Sequence, residues 1–246
     1  MKSFVRSAAT LLITLYLSAH SVAFSQGVGV RTQALDSALW THAQWISVVD
    51  APIVTGRTND ATRAADGASW FVTTIRNKGK VKRAVWMTAG LGVYDLYVNK
   101  QLVGDEMLKP GFTHYQKTKL SFTYDITRSF NKKRGAENTL AVQVTPGWWA
   151  DKIVGPSGED GMKGKKCAFR GVLAVTYADG SKDYFGSDTT HWKAAIAGPV
   201  KHAAIFDGEE YDARVPMGYD VTPRHKAPEV NTEFSGAIIP TMGAEV

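Results

Sequence analysis

Apolar and polar positions alternate with a period of two along much of this 246-residue chain. In the stretch from Gly92 to Val98, Val93, Asp95 and Tyr97 fall on one face, and Tyr94, Leu96 and Val98 on the other. That alternation is the signature of a half-buried β-strand. Comparable runs predict strands over 45–49, 70–76, 83–89, 93–98, from 102 onward, 119–124, 138–145, 171–177 and 182–185. Trp192 and the pair Ile205-Phe206 mark two more short strands. Turn signals separate the runs: Asn77 to Lys80, Asn99-Lys100, Pro146-Gly147, and Ala178 to Ser181. Asn tolerates positive φ, so Asn99-Lys100 reads as a two-residue hairpin turn. Residues 126–130 are too few for a stable helix and read as a turn. Residues 50–67 and the Gly-rich stretch 151–166 read as long loops. Many short strands without a convincing helix argue an antiparallel sandwich or jelly roll. No repeat at about 20 to 50 residues is visible, which weighs against a propeller or solenoid.

The ends depart from this pattern. Lys2 and Arg6 precede an apolar run from Ala8 to Leu17, and Ala23 and Ser25 stand at −3 and −1 of a cut before Gln26. This is the layout of a cleaved export signal over 1–25, and the run is too short to span a bilayer. The expected destination is the periplasm or the cell exterior. Residues 26–44 read as a linker, 45–222 as the β domain, and 223–246 as a tail of low apolar periodicity leading toward a further domain.

Composition excludes several classes. The formal net charge is +6, with the densest basic stretches at Lys78 to Arg83 and Asn131 to Arg134. These read as solvated turns, because a nucleic-acid groove needs a basic face sustained across elements. Cys167 is the single cysteine, so an intrachain disulfide and a Cys-based zinc site are both excluded. The His residues show no paired zinc spacing, and no nucleophile elbow, phosphate loop or dinucleotide fingerprint occurs.

A series of short motifs runs in order through the chain. They are Leu91-Gly92-Val93-Tyr94-Asp95-Leu96-Tyr97-Val98-Asn99-Lys100, Val103-Gly104-Asp105, Pro110-Gly111-Phe112-Thr113-His114-Tyr115 and Tyr124-Asp125-Ile126-Thr127. Asn138-Thr139-Leu140, Gly147-Trp148-Trp149, Tyr177-Ala178-Asp179-Gly180, Trp192-Lys193, Gly198-Pro199-Val200 and Asp207 to Arg214 follow. This order resembles the N-terminal substrate-recognition domain of the bacterial α-L-rhamnosidases, glycoside hydrolase family 78. The resemblance runs from about Trp45 to Arg214. It implies an all-β, galactose-binding-like jelly-roll β-sandwich. It also implies sugar contact, assisted by a calcium ion in some of these domains. Two positions depart from the family pattern: Lys100 stands where the hairpin usually has Gly, and Phe112 where the family has Trp. Family enzymes carry their catalytic carboxylates on an (α/α)6 barrel, and no residue here matches those carboxylates.

A sugar site needs an aromatic face for the C–H side of the ring and polar groups for its hydroxyls. Trp148, Trp149 and Asp151 offer both at the start of a loop. If strand geometry persists there, one indole packs inward and the other is exposed. The alternative reading of the same pattern buries both indoles in the sandwich core. Asn99 is either a turn residue or a polar ligand at a loop tip. Asn99 and Asp151, with loop carbonyls, are the candidate calcium ligands, although no compact calcium loop is present. Asp95 reads as a hydrogen-bonded strand residue. Asp207, Glu209, Glu210 and Asp212 form the densest acidic cluster, and Arg214 is placed to pair with one of them.

The expected function is an exported carbohydrate-recognition domain with a glycan or glycoside ligand, without catalysis of its own. The alternatives are the front fragment of an α-L-rhamnosidase with its catalytic domain elsewhere, and a structural or interaction β-sandwich. No nucleic-acid partner and no membrane span are expected.

Overall fold

The computed structural model describes residues 27–49, 51, 68–150, 166–205, 208–220, 225–233 and 236–241. The expected export signal, most of the loop over 50–67, the Gly-rich loop over 151–165, Phe206 and Asp207 lie outside the described residues.

In chain order the strands are β1 (Val30–Arg31), β2 (Ile46–Ser47), β3 (Ala68–Arg76), β4 (Val81–Leu91), β5 (Val93–Val98), β6 (Gln101–Val103), β7 (Thr118–Asp125) and β8 (Glu137–Thr145). A helical turn, α1 (Gly147–Ala150), comes next. Then follow β9 (Ala168–Tyr177), β10 (Lys182–Gly186), β11 (Lys193–Ala197), β12 (Val200–Ala204), β13 (Gly208–Tyr211), β14 (Glu229–Val230) and β15 (Ala237–Pro240). Eight strands make one sheet in the order β1-β7-β4-β9-β2-β14, with β10 added to β9 and β15 added to β7. Five strands make the second, β11-β3-β8-β5-β6, and β12 and β13 form a separate hairpin. Pairing is antiparallel except between β15 and β7. The chain is all-β, a galactose-binding-like jelly-roll sandwich.

The two sheets face each other across one apolar layer. Phe71, Tyr94, Leu96, Val98, Leu140, Val142 and Val144 come from the five-stranded sheet, and Trp86, Phe122, Tyr124, Phe169, Leu173 and Val175 from the eight-stranded one. The period-two alternation of Val93 to Val98 is realised as written, with Tyr94, Leu96 and Val98 buried and Val93, Asp95 and Tyr97 half-exposed. The chain changes sheets at a single residue between β4 and β5. That residue is Gly92, at φ 123°, where a Cβ would lie 2.2 Å from the Thr145 carbonyl oxygen. Only glycine accepts both the backbone conformation and the contact.

Two further clusters cover the outer faces. Met87, Ala89, Leu91, Ala168 and Val172 on the back of the eight-stranded sheet pack with Trp40, Trp45, Tyr115 and Trp149. Trp70, Ala141, Ala195, Ala197 and Val200 form the other on the back of the five-stranded sheet, with Tyr97 and Tyr219 against it.

Several segments differ from the sequence reading. The stretch 26–44 carries β1 and a 3-10 turn over Ser37–His42, capped by Asp36, whose Oδ1 accepts from the Ala38 N–H at 2.9 Å. One aromatic, Trp40, anchors that turn, and a single anchor leaves no periodicity to detect. Residues after Pro223 supply β14 and β15, which pair with β2 and β7. Backbone pairing to an existing sheet orders them, so alternation is not required. The strand expected at Ile205-Phe206 ends earlier, at Ala204, and Ile205 is in the turn before β13.

Candidate functional site

Pro146 cannot donate to the sheet, and β8 ends just before it. Gly147 then takes φ 50°, with its Cα so near β5 that a Cβ would lie 2.5 Å from Val93 Cγ2. The chain turns helically there and does not continue as a strand, so Trp148 and Trp149 project from α1. The outcome still separates the two indoles. Trp149 is buried and Trp148 is half-buried.

Trp149 is held from three sides. Its Nε1 donates to the Lys166 carbonyl at 2.8 Å. Tyr115 packs with a ring centroid 5.7 Å away, and its hydroxyl donates to the Gly111 carbonyl at 2.8 Å. Lys119 Nζ lies 6.0 Å from the Trp149 ring and donates to the Tyr115 carbonyl. Lys119 is itself buried, and burial pushes its ammonium down to about 7. Trp149 is therefore a core residue. Trp148, packed only on the rim of the same cluster, is the one indole of the pair with a face toward solvent. Asp151 lies outside the described residues.

Asn99 sits at the tip of the β5–β6 hairpin, at φ 48°, followed by Lys100 at φ 68°. Its side chain is fully engaged. Nδ2 donates to the Ser129 carbonyl at 2.8 Å and to Asn138 Oδ1 at 2.9 Å, and Oδ1 accepts from the Thr139 N–H at 3.0 Å. Asn138 in turn joins Asn77 and Asn131, tying three turns together. Asn99 thus serves the turn. It stands at the far end of β5 from Val93, which touches Gly147, roughly 17 Å along the strand. The structure does not bring Asn99 to Trp148. Of the two candidate calcium ligands, Asn99 has its Oδ1 accepting from the Thr139 N–H, and Asp151 lies outside the described residues. Among the described residues no group of three or more His, Cys, Asp or Glu is arranged to hold a metal ion.

The described members of the acidic cluster, Glu209, Glu210 and Asp212, lie at the surface. Asp212 accepts from Arg214 Nε at 2.8 Å and from Nη2 at 2.9 Å. Those bonds hold its carboxyl down to about 2, the reverse of what a general acid needs. Glu209 and Glu210 are exposed on β13.

Sequence reasoning missed two buried lysines. Besides Lys119, Lys109 is enclosed, with Nζ 3.8 Å from Asp95 Oδ1 and 3.4 Å from the Val103 carbonyl. Burial lowers the Lys109 pKa and raises that of Asp95, while each charge partly offsets the effect on the other. Lys109 follows Leu108, at φ 55°, and this tight turn exposes its neighbours. Met107 is 88% exposed, Leu108 52% and Phe112 60%.

The two facing antiparallel sheets place the chain among the all-β sandwich domains. The family described as "Alpha-L-rhamnosidase N-terminal domain" matches residues 79–234, and the chain belongs to that family. An alpha-L-rhamnosidase of Streptomyces avermitilis is 40% identical over 137 residues, covering 55% of this chain and 12% of the relative. One of Formosa agariphila is 30% identical over 198 residues, covering 75% and 20%. The chain thus spans a fifth or less of these relatives. Among solved structures, the alpha-L-rhamnosidase of Dictyoglumus thermophilum superposes with a TM-score of 0.67 at 26% identity, covering 86% of this chain and 23% of that one. The Streptomyces avermitilis enzyme complexed with L-rhamnose superposes with a TM-score of 0.60 at 32% identity, covering 69% and 16%. Among the described residues no helix is long and apolar enough to cross a membrane.

Proposed function

We propose that this chain is an exported carbohydrate-recognition module of the α-L-rhamnosidase type, which binds a rhamnose-containing glycan and does not cleave it alone. One observation carries the reading: Trp148 is half-exposed on a turn whose other indole, Trp149, is locked in the core. A rigidly mounted aromatic face costs little entropy to use, and sugar C–H faces pack on such rings. The rhamnose complex of a 32% identical relative supports the ligand class. The leader over 1–25 supports export. Pairing of Asp212 with Arg214 speaks against that carboxylate as a catalytic acid. The test is titration with L-rhamnose and rhamnosylated oligosaccharides, with and without calcium, followed by calorimetry. Saturable binding that weakens at least tenfold in Trp148→Ala supports the reading. Absence of binding to every rhamnosylated ligand overturns it.

A second reading is favoured by Met107, Leu108 and Phe112, three large apolar side chains exposed on one loop. Such a patch marks a contact surface. In this reading the loop docks on the catalytic domain of a rhamnosidase, carried on the same or a separate polypeptide. A barrel-encoding frame adjacent in the genome supports it, and the lack of one removes it.

A further inference from the structure

The back of the five-stranded sheet carries a second set of groups with the chemistry of a sugar site. On the row shared by β3, β8 and β5, Trp70 stands opposite Gln143, and Gln143 opposite Asp95. On the next row Ala141 stands opposite Tyr97. Ala141 and Tyr97 belong to the outer cluster, so by the period of two Gln143 and Asp95 also face outward. Tyr219 packs against this face. Its ring centroid is 5.3 Å from Tyr97 and 5.5 Å from Trp70, and Tyr97 is 5.5 Å from Trp70. Gly218 makes this packing close, since a Cβ there would lie 2.2 Å from the Trp70 ring. Tyr211 stands opposite Val200 in the β12–β13 hairpin, and Val200 belongs to the same outer cluster.

The polar tips on this face are unused. No hydrogen bond engages the Gln143 amide or the hydroxyls of Tyr97, Tyr211 and Tyr219 among the described residues, and Asp95 has only Lys109 at 3.8 Å. Among the described residues, buried side-chain polar atoms without a partner belong to Trp70 beneath this face and to Trp86, Arg170, His202 and His225. None belongs to Asp95, Gln143, Tyr97 or Tyr219, so those tips reach solvent. The side chain of Asp95 is 44% exposed.

We infer that Asp95, Gln143, Tyr97, Tyr211 and Tyr219 form a second saccharide subsite, separate from Trp148. It takes one neutral pyranose residue with free neighbouring hydroxyls. Cross-strand partners stand roughly 5 Å apart, so Asp95 and Gln143 can both reach hydroxyls of a single ring. The tyrosines supply the apolar wall and further hydroxyl partners. The face spans two rows and two strand spacings, roughly 7 by 10 Å, the footprint of one or two sugar residues. Its mix of phenols, amide and carboxylate distinguishes it from the aliphatic 107–112 loop and fits a hydroxyl-rich ligand better than a protein surface.

This inference rests on the glycan-recognition reading, and the experiment separates the two. The full chain, labelled with nitrogen-15, is titrated with methyl α-L-rhamnopyranoside and, separately, methyl β-D-galactopyranoside. The expected result is saturable shifts of the amides of Asp95, Tyr97, Gln143 and Tyr219 with at least one sugar. The Gln143→Ala/Tyr211→Ala variant, which leaves the buried cluster intact, weakens those shifts at least fivefold while shifts near Trp148 persist. Asp95→Asn keeps the shape but loses charge acceptance, and weakens them as well. Shifts confined to the surroundings of Trp148, or affinity within twofold of the parent in both variants, overturn the second subsite alone. No shifts with either sugar overturn the subsite together with the glycan reading on which it stands.

Discussion

Lys119 Nζ lies 6.0 Å from the Trp149 ring, with neither side chain open to solvent. Burial moves this lysine from an ordinary 10.5 down to about 7. Between those values the unfolded chain holds a proton on Lys119 that the folded chain has released. Stability therefore rises with pH above about 7 and flattens below it. Urea midpoints between pH 7 and 9 should climb more steeply in the parent than in Lys119→Met. A difference between the two that is flat or falls with pH would refute the buried-lysine account.

Asn99 combines a left-handed backbone with three side-chain hydrogen bonds. Asn99→Ala loses the bonds and strains the turn, for a cost of about 2 to 4 kcal/mol. Asn99→Gly relieves the strain alone and should recover about 1 kcal/mol of that. Equilibrium urea unfolding of the two variants measures the split.

The neighbouring tryptophans should separate by assay. Trp149→Ala empties a core position and costs about 3 to 5 kcal/mol. Trp148→Ala should cost less than half as much and show its main effect in sugar titration. Equal losses of stability would contradict the burial difference between them.

Cys167 is buried and its thiol is pushed up to about 12, first by burial and then by the charge of Glu233. A thiolate is the reactive form, so a disulfide reagent at pH 8 should leave the native protein unmodified. Modification should appear in step with unfolding in urea. Rapid labelling of the folded protein would show the site to be open.

Gly218→Ala places a methyl group against the Trp70 ring where no space exists. The expected penalty is about 1 to 3 kcal/mol. Loss of the Tyr97–Tyr219 contact should accompany it, visible as displaced ring resonances.

The sandwich was legible because its central strands obey the period-two rule and its turns carry Asn, Gly and Pro where the backbone demands them. Tyr94, Leu96 and Val98 are a plain case. The helical turn at Trp148 was not legible, since four residues carry no periodicity and its cause is the contact of Gly147 with Val93. Lys109 and Lys119 were also hidden. A lysine in sequence reads as surface, and only the tertiary enclosure by Tyr124 or Trp149 makes it a core residue. Asn99 was readable as a turn, but its partners Ser129, Asn138 and Thr139 come from a distant loop and strand. The Asp95, Gln143 and Tyr219 face joins three segments far apart in the chain, and nothing local announces it.

The first and last described strands, β1 and β15, lie along the same edge of β7, at Tyr124-Asp125 and Thr118 to Ser121. Arg31 Nη2 spans the seam to the Thr241 carbonyl at 3.4 Å. Without them β7 would present a row of unpaired N–H and C=O groups, a template for another chain to add a strand. The two terminal segments thus act as a guard against sheet-to-sheet aggregation. Trimming either one exposes part of that edge, so a minimal version of this domain must keep both to remain soluble.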